Sequence, residues 1–435
     1  MCMQHPEDGA GPALPRTTGG NEAQDVSEDH REPFPWDVGV FDAHCHPTDT
    51  MSSIESIPSM KARVLTVMAT RSQDQDLVYE VASSHGVHDG KALSSEPLAL
   101  TDQNRIVPSF GWHPWFSYQL YDDTVPNLTY DGTPAGKKAH YDQVLAPKPS
   151  SKDDSFGSRL GDPRPLSEYL EETRKRLEKF PLALVGEIGI DKAFRLPTAW
   201  TLAEEAKREE GLTPGGREGR RLSPYRVQLP HQAAIFRAQL ELAGRMDRPV
   251  SCPRGSSPWC VIRHNSQLLE RPRKGSSVPQ TKTSDRYGCG RLSDDTDEDS
   301  DSDDVPTRES KPSNPARDSS KGNRPANFPR RICLHSYSGH VEQLKMYIHP
   351  SVPAKVYFSF SVAINWATGG NEKTEEAIRA VPDDRLLVES DLHTAGEKMD
   401  NQLEEVCRRI CRIKGWDLRE GVRRLGCNWR AFVLG

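Results

Sequence analysis

FDAHCHPTD, residues 41–49, sets His44 and His46 two positions apart at the end of an apolar approach that begins at Val38. In an extended strand alternate side chains share a face. The two imidazoles therefore point into one space, where a divalent metal could sit between them. Pro47 follows at once, so the pair stands at the carboxyl end of a strand. Such a pair needs further ligands, and the rest of the chain is read for them.

Apolar runs alternate with helix-period segments on both sides of each run. RVLTVMAT from Arg63 makes a second strand, RIVPSFGWHP a third, LALVGEIGID a fourth and RPVS, ending at Ser251, begins a fifth. RICLH from Arg331, VYFSFS and RLLVESD supply the sixth, seventh and eighth. Between them, Leu77, Val78, Val81 and Ala82 fall at helical spacing, as do Phe236, Leu240 and Ala243, and then Leu403, Val406, Cys407, Ile410 and Ile413. A short helix is expected around Glu55 to Lys61. Eight strand–helix alternations predict an α/β fold, a TIM (β/α)8 barrel of the amidohydrolase-like kind, rather than an open sheet.

The chain of 435 residues exceeds the roughly 250 that such a barrel needs. Hydrophobic content of 35%, with 34 prolines and 32 glycines, assigns much of the excess to loops and disorder. The expected plan is a disordered lead over 1–35 and a first part of the barrel over 36–251, with a polar insertion at about 122–162 read as surface loop. A disordered acidic insertion over 252–327 and the last part of the barrel over 328–435 complete it. Eight of the eleven residues in DDTDEDSDSDD, Asp294 to Asp304, are acidic, the mark of a solvated linker. Net charge of −6 gives no general attraction to polyanions. Nine cysteines without CxxC spacing argue against a disulfide framework. With no signal-peptide core and no membrane-spanning run, an intracellular protein, cytoplasmic or nuclear, is expected.

In a barrel of this kind chemistry gathers at the carboxyl ends of the strands. There stand His44 and His46, His113, Glu187, His335, Glu389 and Asp391, an inventory of imidazoles and carboxylates suited to one or two divalent ions, Zn, Mg or Mn. Glu187, between the glycines of GEIG, is the candidate to bridge two ions. His113, between two tryptophans, is a possible substrate-binding group, and Glu389 is given a structural, salt-bridging role.

FDAHCHPTD, GWHPW, LVGEIGID, RICLHSYSGH and LLVESDLH resemble, in order, the signatures of the TatD family of metal-dependent hydrolases. The ending, from YFSFSVAIN to NWRAFV, is similar to the fungal branch, which includes proteins described as interactors of an anaphase-promoting-complex subunit. The resemblance implies a TIM barrel, a divalent metal centre and phosphodiester hydrolysis, typically of DNA. It implies one metal on His44, His46, Glu187 and Asp391, a second on Glu187 and His335, and Asp391 as acceptor of the attacking water's proton. A non-catalytic scaffold that binds a protein partner is the alternative. A deaminase or lactonase of the amidohydrolase type shares the HxH entry but wants a lysine or carbamate where Glu187 stands.

The pattern breaks at strand five. The family places a histidine after a stretch like RPVS, whereas this chain reads RPVSCPRGSSPWCVIRHNSQ, and His264 comes about a dozen residues late. With suitable synonymous codons, CPRGSSPWCVIRHNS read one base out of phase gives VHVVQAHGVLFDTI, which resembles the family's continuation with its histidine. A frame change at Cys252, in the gene or in its reading, is one explanation. In either case the second metal is expected to lack an imidazole and the barrel to be weakened.

Overall fold

The computed structural model describes residues 32–95, 99–149, 154–209, 211–214, 220–253, 327–367 and 371–435. Among the described residues, seven strands of three residues or more run through it: β1 (Phe41–Cys45), β2 (Val64–Met68), β3 (Ile106–Ser109), β4 (Val250–Pro253), β5 (Arg331–His335), β6 (Lys355–Phe360) and β7 (Leu386–Val388). β1, β2 and β3 pair in parallel in that order, and so do β4, β5, β6 and β7. Between the two sheets lies the segment 184–185, where Leu184 bridges Ser109 and Val185 bridges Val250, both in parallel. This segment is the fourth strand position, reduced to two bridging residues. Beyond β7, the Asp391 N–H donates to the His44 carbonyl at 3.0 Å and the His46 N–H to the Leu392 carbonyl at 2.8 Å. These bonds return the eighth position to the first, and the fold is the (β/α)8 barrel.

Two phases of side chains explain how the barrel is filled. Leu65, Val67, Val185, Val250, Cys252, Ile332, Leu334, Val356 and Phe358 share one buried cluster with helix residues such as Val81, Leu177, Phe236, Leu344, Ile378 and Leu403. They face the outer ring of helices. The alternate residues Val64, Val107, Leu184, Cys333, Tyr357 and Leu387 form a separate cluster with Trp429, Phe432 and Val433 of the C-terminal helix Leu418–Leu434. One step of two residues along each strand then brings Thr66, Ser109, Gly186, His335, Ser359 and Glu389 onto that same inner face. The interior is thus apolar at one end and polar at the carboxyl end. Full burial of the apolar layer is worth about 1.5–3 kcal/mol for each large side chain, which holds the polar layer above it in place.

Several expectations need correction. The insertion read as surface loop at 122–162 carries the helix Pro134–Val144, capped by Thr133, whose hydroxyl accepts from the Gly136 N–H at 2.9 Å. Tyr141 and Val144 pack with Trp112, Phe116, Leu166, Tyr169, Leu196 and Tyr225 in a cluster of their own. So few inward residues, spaced among Gly, Lys and Asp, give no legible helical period. The expected helix near Glu55 is a 3-10 helix, Met51–Ser59, and it contains Pro58. At the boundary set at 251, β4 continues through Cys252, which is fully buried, and Pro253, which pairs in register with His335. The fifth strand is therefore formed, and its substituted residues are built into it. The disordered lead loses its last residues, since Phe34 meets Trp36 edge-on at 4.7 Å and packs on the core. The remaining expectations of disorder, at 1–31 and 254–326, lie outside the described residues. Among the described residues no helix is long and apolar enough to cross a membrane.

Candidate metal centre

Six of the predicted residues converge at the polar end of the barrel. His44 and His46 bring their Nε2 atoms to 3.0 Å of each other. Glu187 lies between two sets of partners. Its Oε2 is 3.6 Å from His44 Nε2 and 3.7 Å from His46 Nε2, while its Oε1 is 2.9 Å from His335 Nε2 and 3.1 Å from His113 Nε2. Asp391 closes the first set, with Oδ1 at 3.7 Å from His44 Nε2 and 3.6 Å from His46 Nε2.

The backbone explains why these atoms meet. A Cβ at Gly186 would come within 2.9 Å of Ser109 Oγ and 3.0 Å of the Ser251 Cβ, so only glycine lets the strand position before Glu187 lie this deep between its neighbours. Ser336 and Asp391 hold φ values of 45° and 53°, left-handed conformations that cost non-glycine residues of the order of 1–3 kcal/mol. The Asp391 N–H bond to His44 and the Ser336 N–H bond to Glu389 Oε1, 2.7 Å long, help hold both turns.

Two triads have ligand atoms that all lie within 4.8 Å of one another: His44, His46 and Asp391, and His44, Glu187 and His335. Their chemistry fits a divalent cation. The donors are imidazole nitrogens and carboxylate oxygens, and among the described residues the ion-pair partners of Glu187 and Asp391 are histidines alone. Buried carboxylates without Lys or Arg need a positive charge from elsewhere. Two imidazole nitrogens at 3.0 Å likewise need a shared proton or a cation between their lone pairs.

Electrostatics sorts the groups. Burial, with the neighbouring His335, pushes His44 down to about 4, so it is neutral at pH 7. Burial also opposes charge on His46, but Asp391 and Glu187 outweigh it and raise its pKa; for His335, Glu187 does the same. Glu187 is held well below the carboxylate range because His113 and His335 outweigh the burial that would raise it. Asp391, against the pull of burial, is brought to about 2 by His46 and His44. Both carboxylates are ionised.

His113 differs from the other imidazoles. Its Nδ1 accepts the Trp115 backbone N–H at 3.2 Å, so its neutral ring carries the proton on Nε2. That nitrogen can donate to Glu187 or to a substrate oxygen but has no lone pair for a metal. Glu389 takes no ion pair among the described residues, contrary to its expected salt-bridging role. It accepts from the Ser336 N–H, from Ser336 Oγ at 2.5 Å and from Ser359 Oγ, and burial lifts it to about 7. Serine donors satisfy it where a cation was expected.

Three further parts of the centre were not singled out from sequence. Asp42 accepts from the His44 N–H and the Ser390 N–H, both at 3.0 Å, and from Ser390 Oγ at 2.5 Å, clamping the seam between the first and last strand positions. Its place two residues before His44, on the same strand face, was the available signal. Asp49 pairs with His393 at 2.7 Å and with Arg71 at 3.3 Å, and the His393 ring stacks on His46 at 5.3 Å. Ser251 lies with its hydroxyl between His44 and His335. A lone serine at the end of a strand carries no motif.

A sequence profile described as TatD related DNase matches residues 41–252 and 317–432. The match breaks off at Cys252, where the strand-five pattern fails. The Cut9-interacting protein scn1 of Schizosaccharomyces pombe is 33% identical over 396 residues, which cover 91% of this chain and 98% of that protein. The uncharacterized deoxyribonuclease YMR262W of Saccharomyces cerevisiae is 28% identical over 216 residues, 49% of this chain and 56% of that one. Among solved structures, the TatD homologue YjjV of Escherichia coli aligns with a TM-score of 0.43 and 15% identity, covering 91% of this chain and 98% of its own.

Proposed function

The chain belongs to the TatD-related DNase family, and from that premise and the geometry of the centre we propose that it is a metal-dependent phosphodiesterase with DNA as a substrate. The observation that carries this reading is the Glu187 carboxylate, which turns one oxygen to His44 and His46 and the other to His335. His44, His46, Glu187 and Asp391 would hold one divalent cation, and Glu187 with His335 a second. A bound cation supplies an acidified water and offsets the negative charge that builds on the phosphoryl oxygens.

The chain's own residues do the rest. Asp391, ionised at neutral pH, accepts the water's proton on its carboxylate, whose Oδ1 faces the histidine pair and whose Oδ2 lies 3.3 Å from Ser336 Oγ. His113 presents Nε2–H toward the same pocket and donates to a phosphoryl oxygen, orienting the ester. Fixed donors and acceptors of this kind cost no reorganisation in the transition state.

The test is a chelator-sensitive assay on the purified full-length chain. Metal content is measured by mass spectrometry, and cleavage of bis-p-nitrophenyl phosphate and of linear DNA is followed with and without EDTA. Bound metal and EDTA-sensitive cleavage are expected; a metal-free protein that cleaves neither substrate overturns the reading. That second outcome favours the scaffold alternative, which draws support from the Cut9-interacting description of a relative matched over 98% of its length.

A further inference from the structure

At the carboxyl end of β4, Ser251 is fully buried and its hydroxyl lies 3.1 Å from His44 Nδ1 and 3.2 Å from His335 Nδ1. The two rings are stacked, with centroids 3.8 Å apart and planes inclined by 27°. Both therefore turn Nδ1 toward one oxygen and Nε2 toward the Glu187 carboxylate. The neighbouring Cys252 packs outward in the core among the helices, so alternation commits Ser251 to the interior.

We propose that Ser251 is a positioning residue for both metal positions at once: its single oxygen accepts Nδ1–H from His44 and from His335 and so fixes both Nε2 lone pairs toward the cations. The inference rests on the metal reading above and deepens it. An imidazole that ligates through Nε2 must carry its proton on Nδ1, and an acceptor there sets both the tautomer and the ring orientation. A hydroxyl oxygen has two lone pairs, enough for two such donors, provided its own proton points elsewhere. Were Ser251 instead to donate to one ring, that ring would keep its proton on Nε2 and be lost as a ligand. Because His44 serves the triad with His46 and Asp391 while His335 serves the Glu187 side, one hydroxyl couples the two.

The test compares the wild-type chain with Ser251→Ala, which removes one oxygen without adding bulk. Histidine tautomers are read from long-range 1H–15N spectra of the metal-free and zinc-loaded proteins, and zinc affinity from competition with a chromophoric chelator. The expected result is that zinc-loaded wild type shows Nδ1–H for both His44 and His335, and that Ser251→Ala disturbs both signals together. Zinc affinity should fall about 10- to 100-fold at each position, the usual loss for such a supporting partner. Unmoved Nδ1–H signals, or weakening at one position only, overturn the inference. A wild-type chain that takes up no zinc overturns the metal reading instead. The metal-free spectra then decide the inference, since His44 should hold Nδ1–H in wild type and populate Nε2–H in Ser251→Ala.

Discussion

The two ends of the Glu187 carboxylate are unlike. Its Oε2 end meets His44 and His46, both from the β1 end and its turn, with Asp391 across the seam that Asp42 clamps. Its Oε1 end meets His335 and His113, and His113 is tied by Trp115 as a donor. Where a further ligand would stand on the strand opposite His335, the chain has Pro253, in register with it. On the proposed reading, one carboxylate would serve a cation with four ligand residues on one side and one with two on the other. Metal affinity follows the number of fixed donors, so the two positions should differ in strength although they share a ligand.

Removing the shared group is the strongest way to break this contrast. Glu187→Gln should abolish the difference by emptying both positions, with metal affinity and cleavage each down by more than about 100-fold, beyond what loss of a supporting partner produces. Metal analysis and phosphodiester turnover check it. Next, His113→Ala should lower turnover by about 10- to 100-fold, the worth of a hydrogen bond to a charged group, while zinc affinity at the first position stays unchanged. A matching fall in zinc affinity would make His113 a ligand instead.

Pro253→His sharpens the comparison from the other side. Residues 251 and 253 alternate onto one face, so an imidazole at 253 should tighten the weaker position by about tenfold or more, read by zinc titration. Sequencing the transcript across codon 251 bears on the same position, because an in-frame reading of Cys252-Pro253-Arg254 removes the explanation of a misread frame. Asp42→Ala, which leaves the His44 and Ser390 N–H groups unpaired inside the barrel, should cost about 1–3 kcal/mol of stability by thermal or denaturant unfolding.

The smallest effect expected is on pH. His46 and His335 have raised pKa values in the metal-free site, and both must lose a proton to bind a cation. Affinity should therefore rise with pH until both are neutral and fall as pH drops below their pKa. His44, neutral down to about 4, should not contribute to that slope above pH 5. Zinc titrations at several pH values read it directly.

Much of the barrel was legible because its strands are short apolar runs separated by helical periods. β5 is the clearest case, with Ile332 and Leu334 facing the helices and Cys333 and His335 the interior. The site was legible to the extent that strand ends are legible: six polar residues at five ends, which the barrel gathers. The helix Pro134–Val144 was not, because its buried face offers Tyr141 and Val144 as large apolar residues beside Gly136 and His140. The fourth strand was overread, since after Leu184 and Val185 the chain turns at Gly186 to deliver Glu187. Asp42 and Ser251 escaped notice for a physical reason: they act through other groups, and although Asp42 alternates with His44 on one strand face, nothing in the sequence gives Ser251 its distances to His44 and His335.

The most direct test of the contrast is zinc uptake by the unmodified full-length chain, followed by competition titration at fixed pH. One ion bound tightly and a second bound distinctly more weakly is the predicted result. Two ions of equal affinity, or no uptake, would contradict it.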